Sequence, residues 1–364
     1  MTKTAKQRLM VAAIWTVRMA LGAVFIFSGF AKLDDIWGFI YKINDYFAVW
    51  DIGFFNRAVV LTAAFAISAT EFTCGVMLCL GVMRRIVPRL LLLLMVFMLP
   101  LSIYIAIASP VADCGCFGDA WVISNTATCV KNIVITAAII FLIRYNTRAA
   151  HPFLPVMQWA VVVVSLIYCA VIASIGYRVQ PLVDFRPYPV GESLLDYNNP
   201  DKTFTIYSGD EDVTDSLLSV SDSIILLTVS DLGRHGMARS AQSNILSRTA
   251  RQEGVQMAAV VAADDSTAAT WARDVAAEYP VYTAEDTQIK ELARGDASLV
   301  YITFDTIRWK TNLYAHSPEE FGPGTSLGDI RPIEKSRTLP VLTALYVIML
   351  GIIYALRYTT RKKF

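Results

Sequence analysis

Two cysteines one glycine apart, in Asp113-Cys114-Gly115-Cys116-Phe117-Gly118-Asp119, are the residues of this chain best suited to chemistry. A disulfide between them closes only a small ring. Such a bond is strained, hence comparatively easy to reduce and a good oxidant of other thiols. Lys131, two turns into the next apolar segment, and the N-terminus of that segment's helix both favour a thiolate nearby. The same spacing serves equally well as a fixed staple, or as two free thiols in a tight glycine turn. Spacing leaves these readings open. The other four cysteines are Cys74, Cys79, Cys129 and Cys169. Cys74 and Cys79 point about 140° apart on one helix, so they do not face each other, and all four read as small buried hydrophobes. No metal site is expected, because the chain has three histidines and no third ligand near the pair.

Charged residues inside apolar segments are the second set of candidates, since they are expensive there and find partners. Arg18 and Glu71 lie roughly 13 and 15 Å from the same end of consecutive antiparallel helices, counted at about 1.5 Å per residue. Equal depth predicts an Arg18–Glu71 ion pair. It would serve either as a fixed pair setting helix register or as the lining of a quinone or proton site. Ser28, Lys32, Lys131 and Asn132 are the remaining intramembrane polar candidates, with Ser28, Lys131 and Asn132 grouped nearer the opposite face.

The elements that must position these groups are membrane helices. Of 364 residues, 55% are hydrophobic and 17% charged, against about 45–50% and about 25% in ordinary globular chains. Mean hydropathy is +0.47. A soluble enzyme, a disordered chain and a nucleic-acid binder are all disfavoured. Six stretches, near 10–31, 58–81, 90–109, 124–144, 155–176 and 339–357, are long and apolar enough to cross a bilayer. Arg and Lys cluster at 3–8, 84–89, 144–148 and 357–363, on alternate sides of successive spans. The positive-inside rule then puts both termini in the cytoplasm and the loops 32–57 and 110–123 outside. The first apolar run is too long for a signal peptide and is retained as a span. The net charge of +1 conceals an asymmetry. Residues 176–338 hold 15 Lys and Arg against 24 Asp and Glu, and the remainder 17 against 7. An acidic soluble block faces outward.

Within that block, 178–221 is a connector with one strand at Thr203–Tyr207, and 222–316 alternates strands with helices. Strands are expected at Ser223–Val229, Val255–Ala262, Val281–Thr283, Ser298–Thr303 and Thr306–Leu313. Helices are expected at Ala238–Arg251, Thr267–Glu278 and Thr287–Arg294. This order gives an α/β layer with a mixed sheet ending in a hairpin. The layout resembles a thioredoxin-like domain. Where that family carries Cys-x-x-Cys, this chain reads Ser230-Asp231-Leu232-Gly233-Arg234-His235-Gly236-Met237, and Gly295-Asp296-Ala297-Ser298 replaces the expected proline. The domain therefore reads as a docking module without thiol chemistry, and His235 as an isolated surface-loop histidine. A linker over 317–338, the last span at 339–357 and a basic cytoplasmic tail at 358–364 complete the chain.

The loop Cys114-Gly115-Cys116-Phe117-Gly118 resembles the signature of the DoxX/MauE family of four-helix membrane proteins. The run Arg18, Leu21-Gly22, Phe25, Ser28-Gly29, Lys32 is similar to the first-helix motif of DoxX proteins. The resemblance covers about residues 10–145, within a first domain of 1–150 followed by a fifth span at 151–177. It implies a four-helix bundle plus two further spans in a bacterial cytoplasmic membrane, with the soluble domain in the periplasm. It also implies redox-associated accessory work: DoxX relatives accompany quinone-linked sulfur oxidation, and MauE the maturation of a disulfide-rich extracytoplasmic subunit. On this reading Cys114 and Cys116 are the redox pair, supported by Asp113, Gly115, Phe117 and Gly118. A quinone is the acceptor to consider, with the lipid bilayer and an extracytoplasmic client or partner subunit as partners. The alternative is a non-enzymatic membrane scaffold or assembly factor.

Overall fold

The computed structural model describes every residue except 1–2, 54, 112–113, 150–152, 196–203, 220–221, 323–326, 328–334 and 362–364. The chain divides into two compact units, residues 1–174 with 337–364, and residues 175–336.

The first unit is built on α1 (Lys3–Asp34), α2 (Ile36–Val49), α3 (Arg57–Leu80), α4 (Val87–Ala108), α5 (Asn125–Tyr145) and α6 (Pro155–Arg178), joined by a returning C-terminal helix, Lys335–Arg361. Among the described residues six helices, all of these except α2, are long and apolar enough to cross a membrane. Small residues set how α1 meets α3. A Cβ added at Gly29 would lie 2.5 Å from the Phe72 nitrogen, and one at Gly75 would lie 2.7 Å from the Ile26 nitrogen. Only glycine lets the two backbones come this close, as in small-residue helix pairs of membranes. That contact fixes the register: Ser28 and Lys32 stand opposite Glu71, while Arg18 stands beside Gly81, where α3 ends. The C-terminal helix packs on α6 through Ser165 and Tyr346 (2.7 Å) and through Tyr168 and Thr343 (3.0 Å).

Helix α2 was expected as loop. Its signals are nonetheless local: the Asp35 side chain accepts from the Gly38 nitrogen as an N-cap, and the buried Ile36, Trp37 and Ile40 recur at helical spacing. At 14 residues it is too short to span, and its apolar face covers the bundle end.

The second unit is an α/β domain with a mixed seven-stranded sheet. Its strands are β1 (Tyr207–Ser208), β2 (Glu211–Asp212), β3 (Ser223–Val229), β4 (Gln256–Val261), β5 (Val281–Thr283), β6 (Ala297–Thr303) and β7 (Thr306–Asn312), in spatial order β2-β1-β5-β4-β3-β6-β7. Strands β3, β4 and β5 run parallel, and β6 and β7 form the antiparallel hairpin. Four further helices belong to it: α7 (Thr214–Ser219), α8 (Met237–Gln252), α9 (Asp265–Asp274) and α10 (Asp286–Leu292). The C-terminal membrane helix is therefore α11.

Both faces of the sheet are covered. Ile225, Leu227 and Val229 pack with Leu246 and Trp271 on one side, and Ile224 and Leu226 pack with Ile289 and Leu292 on the other. Burial on both faces is why β3 and β4 read as continuous apolar runs and not as alternating ones.

Three local expectations are corrected. In place of the strand expected at Thr203–Tyr207 stand two short strands, β1 and β2, paired antiparallel; Phe204 and Ile206 are buried in the core, and Thr203 lies outside the described residues. The connector contains α7, where no helix is expected from the sequence. His235 is neither isolated nor on the surface. It is fully buried, its Nδ1 2.7 Å from the Tyr314 hydroxyl and its Nε2 3.1 Å from Ser243 Oγ, and its carbonyl accepts from Trp271 Nε1. Burial holds its pKa down at about 4.

The connector also blocks the outer edge of β7, with Ile307 N donating to the Glu192 carbonyl and Asn312 N to that of Val179. Beneath it, Asp184 accepts from Arg186 (2.7 Å) and Lys310 (3.1 Å), with both cations buried. These cations hold the Asp184 carboxyl well below its ordinary range against the cost of burial.

Candidate functional site

The pair at Cys114 and Cys116 sits on the short link between α4 and α5, and its geometry is fixed from three helices. From α1, Ser28 Oγ lies 2.8 Å from the Cys116 carbonyl; from α2, the Tyr46 hydroxyl donates to the Cys114 carbonyl at 3.1 Å. From α5, the Lys131 ammonium stands 4.3 Å above the Phe117 ring. Phe117 also packs against Phe27 and stacks on Trp121, with centroids 5.6 and 5.8 Å apart. The loop turns at Gly115 (φ +66°) and Gly118 (φ +54°), and Gly118 N donates to the Gly115 carbonyl at 3.1 Å. Gly115 is required twice over, for its left-handed backbone and because an added Cβ would lie 2.8 Å from Cγ of Lys42 on α2. Asp113 lies outside the described residues.

Both cysteines are free thiols and both face one cavity of about 910 Å³, its open mouth included. Phe39, Phe47 and Trp50 wall it on one side, and Met95, Met98 and Ile135 on another. Its polar lining gathers Ser28, Lys32, Glu71, Lys131 and Asn132 around the thiols. Thus the intramembrane polar candidates other than Arg18 converge on the cysteine pair. Asn132 is buried and its amide reaches the Met98 carbonyl at 3.5 Å.

The expected Arg18–Glu71 pair does not form. Glu71 Oε2 lies 2.6 Å from Lys32 Nζ and 2.7 Å from Ser28 Oγ. Arg18 instead donates from Nε to Asn146 Oδ1 at 2.5 Å and from Nη2 to the Asn146 carbonyl at 3.1 Å. Counting residues from span ends placed the two helices at equal depth, but the glycine contacts slide α1 so that Arg18 and Glu71 are separated by about ten residues of α1, roughly 15 Å.

The thiols differ electrostatically. The hydrogen bond that Cys114 can give Cys116, with the nearby Lys131 and Lys32 ammonium groups, pulls the Cys116 thiol down towards its thiolate against the cost of burial. The same bond, burial and the neighbouring sulfur push the Cys114 thiol up, against the pull of the two lysines. The other four cysteines stand apart from this cavity, Cys79 against Gly22 in the α1–α3 contact. Among the described residues no group of three or more His, Cys, Asp or Glu could hold a metal ion.

Sequence reading missed the contribution of α2. Phe39, Lys42, Tyr46 and Phe47 come from it and Trp50 is its C-cap, and the Asp35 cap with its helical apolar spacing was the available signal.

Residues 10–145 match the family described as methylamine utilisation protein MauE. No curated protein matches the chain.

Proposed function

We propose, for a chain whose residues 10–145 form a MauE-family membrane domain, that it is a membrane thiol-redox accessory protein whose working pair is Cys114 and Cys116. The observation that carries this reading is the convergence of both thiols, two lysines, Glu71, Ser28 and Asn132 on one largely apolar cavity. A staple alone needs no such cavity.

The residues fit a lipid-soluble quinone. The cavity offers aromatic and methionine walls for an apolar ring, with Lys131 and the Asn132 amide as polar groups at its thiol end. A quinone bound there would supply a two-electron acceptor. The protein's own part is to keep Cys116 as thiolate, to hold the Cys114 proton on the neighbouring sulfur, and to fix both carbonyls through Ser28 and Tyr46.

The second unit serves as the docking module for an extracytoplasmic client. Its β3-α8-β4 unit and β6–β7 hairpin support a thioredoxin-like origin, and no cysteine lies beyond Cys169. Basic flanks at 84–89 and 144–148 support a cytoplasmic placement for that end of the bundle and an outward placement for the thiols. Cys116→Ser in the full chain tests the reading. Client oxidation is expected to be lost while membrane insertion and protein level stay normal. An unchanged client redox state would leave the non-enzymatic scaffold, for which the thiol-free docking domain is the supporting feature.

A further inference from the structure

We propose that Lys131 is the counter-cation of the Cys116 thiolate, and that oxidation of the cysteine pair frees it to stabilise and protonate the electron acceptor in the same cavity. The proposal rests on the thiol-redox reading above and assigns a residue to it.

The charges around the cavity carry the argument. Lys32 and Glu71 are buried and 2.6 Å apart, so they neutralise each other. Lys42 packs its aliphatic stem over Gly115, and Tyr46 contributes a neutral hydroxyl. Lys131 is what remains. Among the described residues it makes no ion pair, and its ammonium is held over Phe117, the residue that follows Cys116. An ammonium beside an apolar cavity is costly without an anion. The Cys116 thiolate supplies that anion at the same cavity.

Oxidation removes the balance. The Cys114 S–H bond breaks, the S–S bond forms, two electrons leave the sulfurs and one proton leaves Cys114. The electrons pass to the two-electron acceptor of the quinone class, which also takes two protons, one from Lys131 Nζ and the one released by Cys114. Water at the cavity mouth returns a proton to Lys131. Lysine thus loses its thiolate partner at the moment negative charge develops on the acceptor, and an ammonium can both stabilise that charge and give up a proton.

The test uses the full chain in lipid nanodiscs, reduced with dithiothreitol that is then removed. The rate of Cys116 alkylation by iodoacetamide is followed against pH by peptide mass spectrometry. Lys131→Met is expected to cut that rate about tenfold at pH 7, because the thiolate fraction falls, whereas Lys131→Arg keeps the wild-type profile. Oxidation of the pair by a short-chain ubiquinone is expected to slow at least about tenfold in Lys131→Arg, since arginine keeps its proton. An unchanged alkylation profile in Lys131→Met overturns the counter-cation role, and wild-type oxidation in Lys131→Arg overturns the proton role. If the wild-type pair is not oxidised by the quinone at all, the thiol–quinone reading and the proton role fail together, while alkylation still decides the counter-cation.

Discussion

Lys32 Nζ lies 2.6 Å from Glu71 Oε2, fourteen residues along α1 from Arg18, the cation that equal depth would assign to that carboxylate. The pair is buried and Ser28 ties it to the Cys116 carbonyl. A charged group that seemed to belong to the middle of the bundle therefore belongs to the thiol site.

Removing one partner of this pair should be more damaging than removing both. Glu71→Leu alone leaves Lys32 buried and unpaired, which costs about 3–5 kcal/mol. Glu71→Leu with Lys32→Met should recover most of that stability. Thermal unfolding of the single and double variants in detergent checks it. A double variant as unstable as the single would mean that the pair does not interact.

Arg18→Ala should act at the other end. It removes both donors to Asn146, a loss of about 2–3 kcal/mol for a charged hydrogen-bonding group, and should leave the rate of Cys116 alkylation unaltered. A large change in that rate would show that Arg18 communicates with the thiol site.

Gly29→Leu should separate α1 from α3. Even a Cβ there meets the Phe72 backbone at 2.5 Å, and overpacking costs about 1–3 kcal/mol or more. Lys32 then moves away from Glu71, so the variant should lose stability and Cys116 reactivity together. Retention of both would contradict the register.

In the second unit, acid should weaken the core around His235. Its folded pKa of about 4 lies below the ordinary 6.5, so the unfolded chain binds a proton that the folded one refuses. The stability associated with neutral His235 is complete above about 6.5, falls by up to about 3 kcal/mol as pH drops towards 4, and changes no further below that. Hydrogen exchange of the β3 amides between pH 7 and 4 measures this, and His235→Asn should flatten the dependence. Equal slopes in both proteins would assign it to other groups.

Much of this molecule is written locally in its residues. The six long helices follow from apolar length, and β3, β5 and the β6–β7 hairpin fall within a residue or two of where their runs and turns place them. Cys114-Gly115-Cys116 and Lys131 are conspicuous because thiols and charges are rare in such surroundings. What depends on register is not legible in the same way. Gly29 and Gly75 decide which residues of α1 and α3 meet, and no periodicity reveals that they slide Arg18 away from Glu71. The aromatic face of α2 was passed over because a helix of 14 residues cannot span a bilayer. His235 shows the same limit. A polar residue among Gly, Asp and Arg reads as exposed, but Tyr314 and Ser243, 79 and 8 residues away, satisfy both ring nitrogens inside the core.

The central claim is that Cys114 and Cys116 cycle between dithiol and disulfide. The direct measurement is their redox state in intact cells, read as the gel shift from a membrane-impermeant, mass-adding maleimide before and after reduction, with respiration running or blocked. A mixed population that moves towards the reduced form when respiration is blocked is the predicted result. A pair wholly oxidised or wholly reduced, and indifferent to respiration, would contradict it.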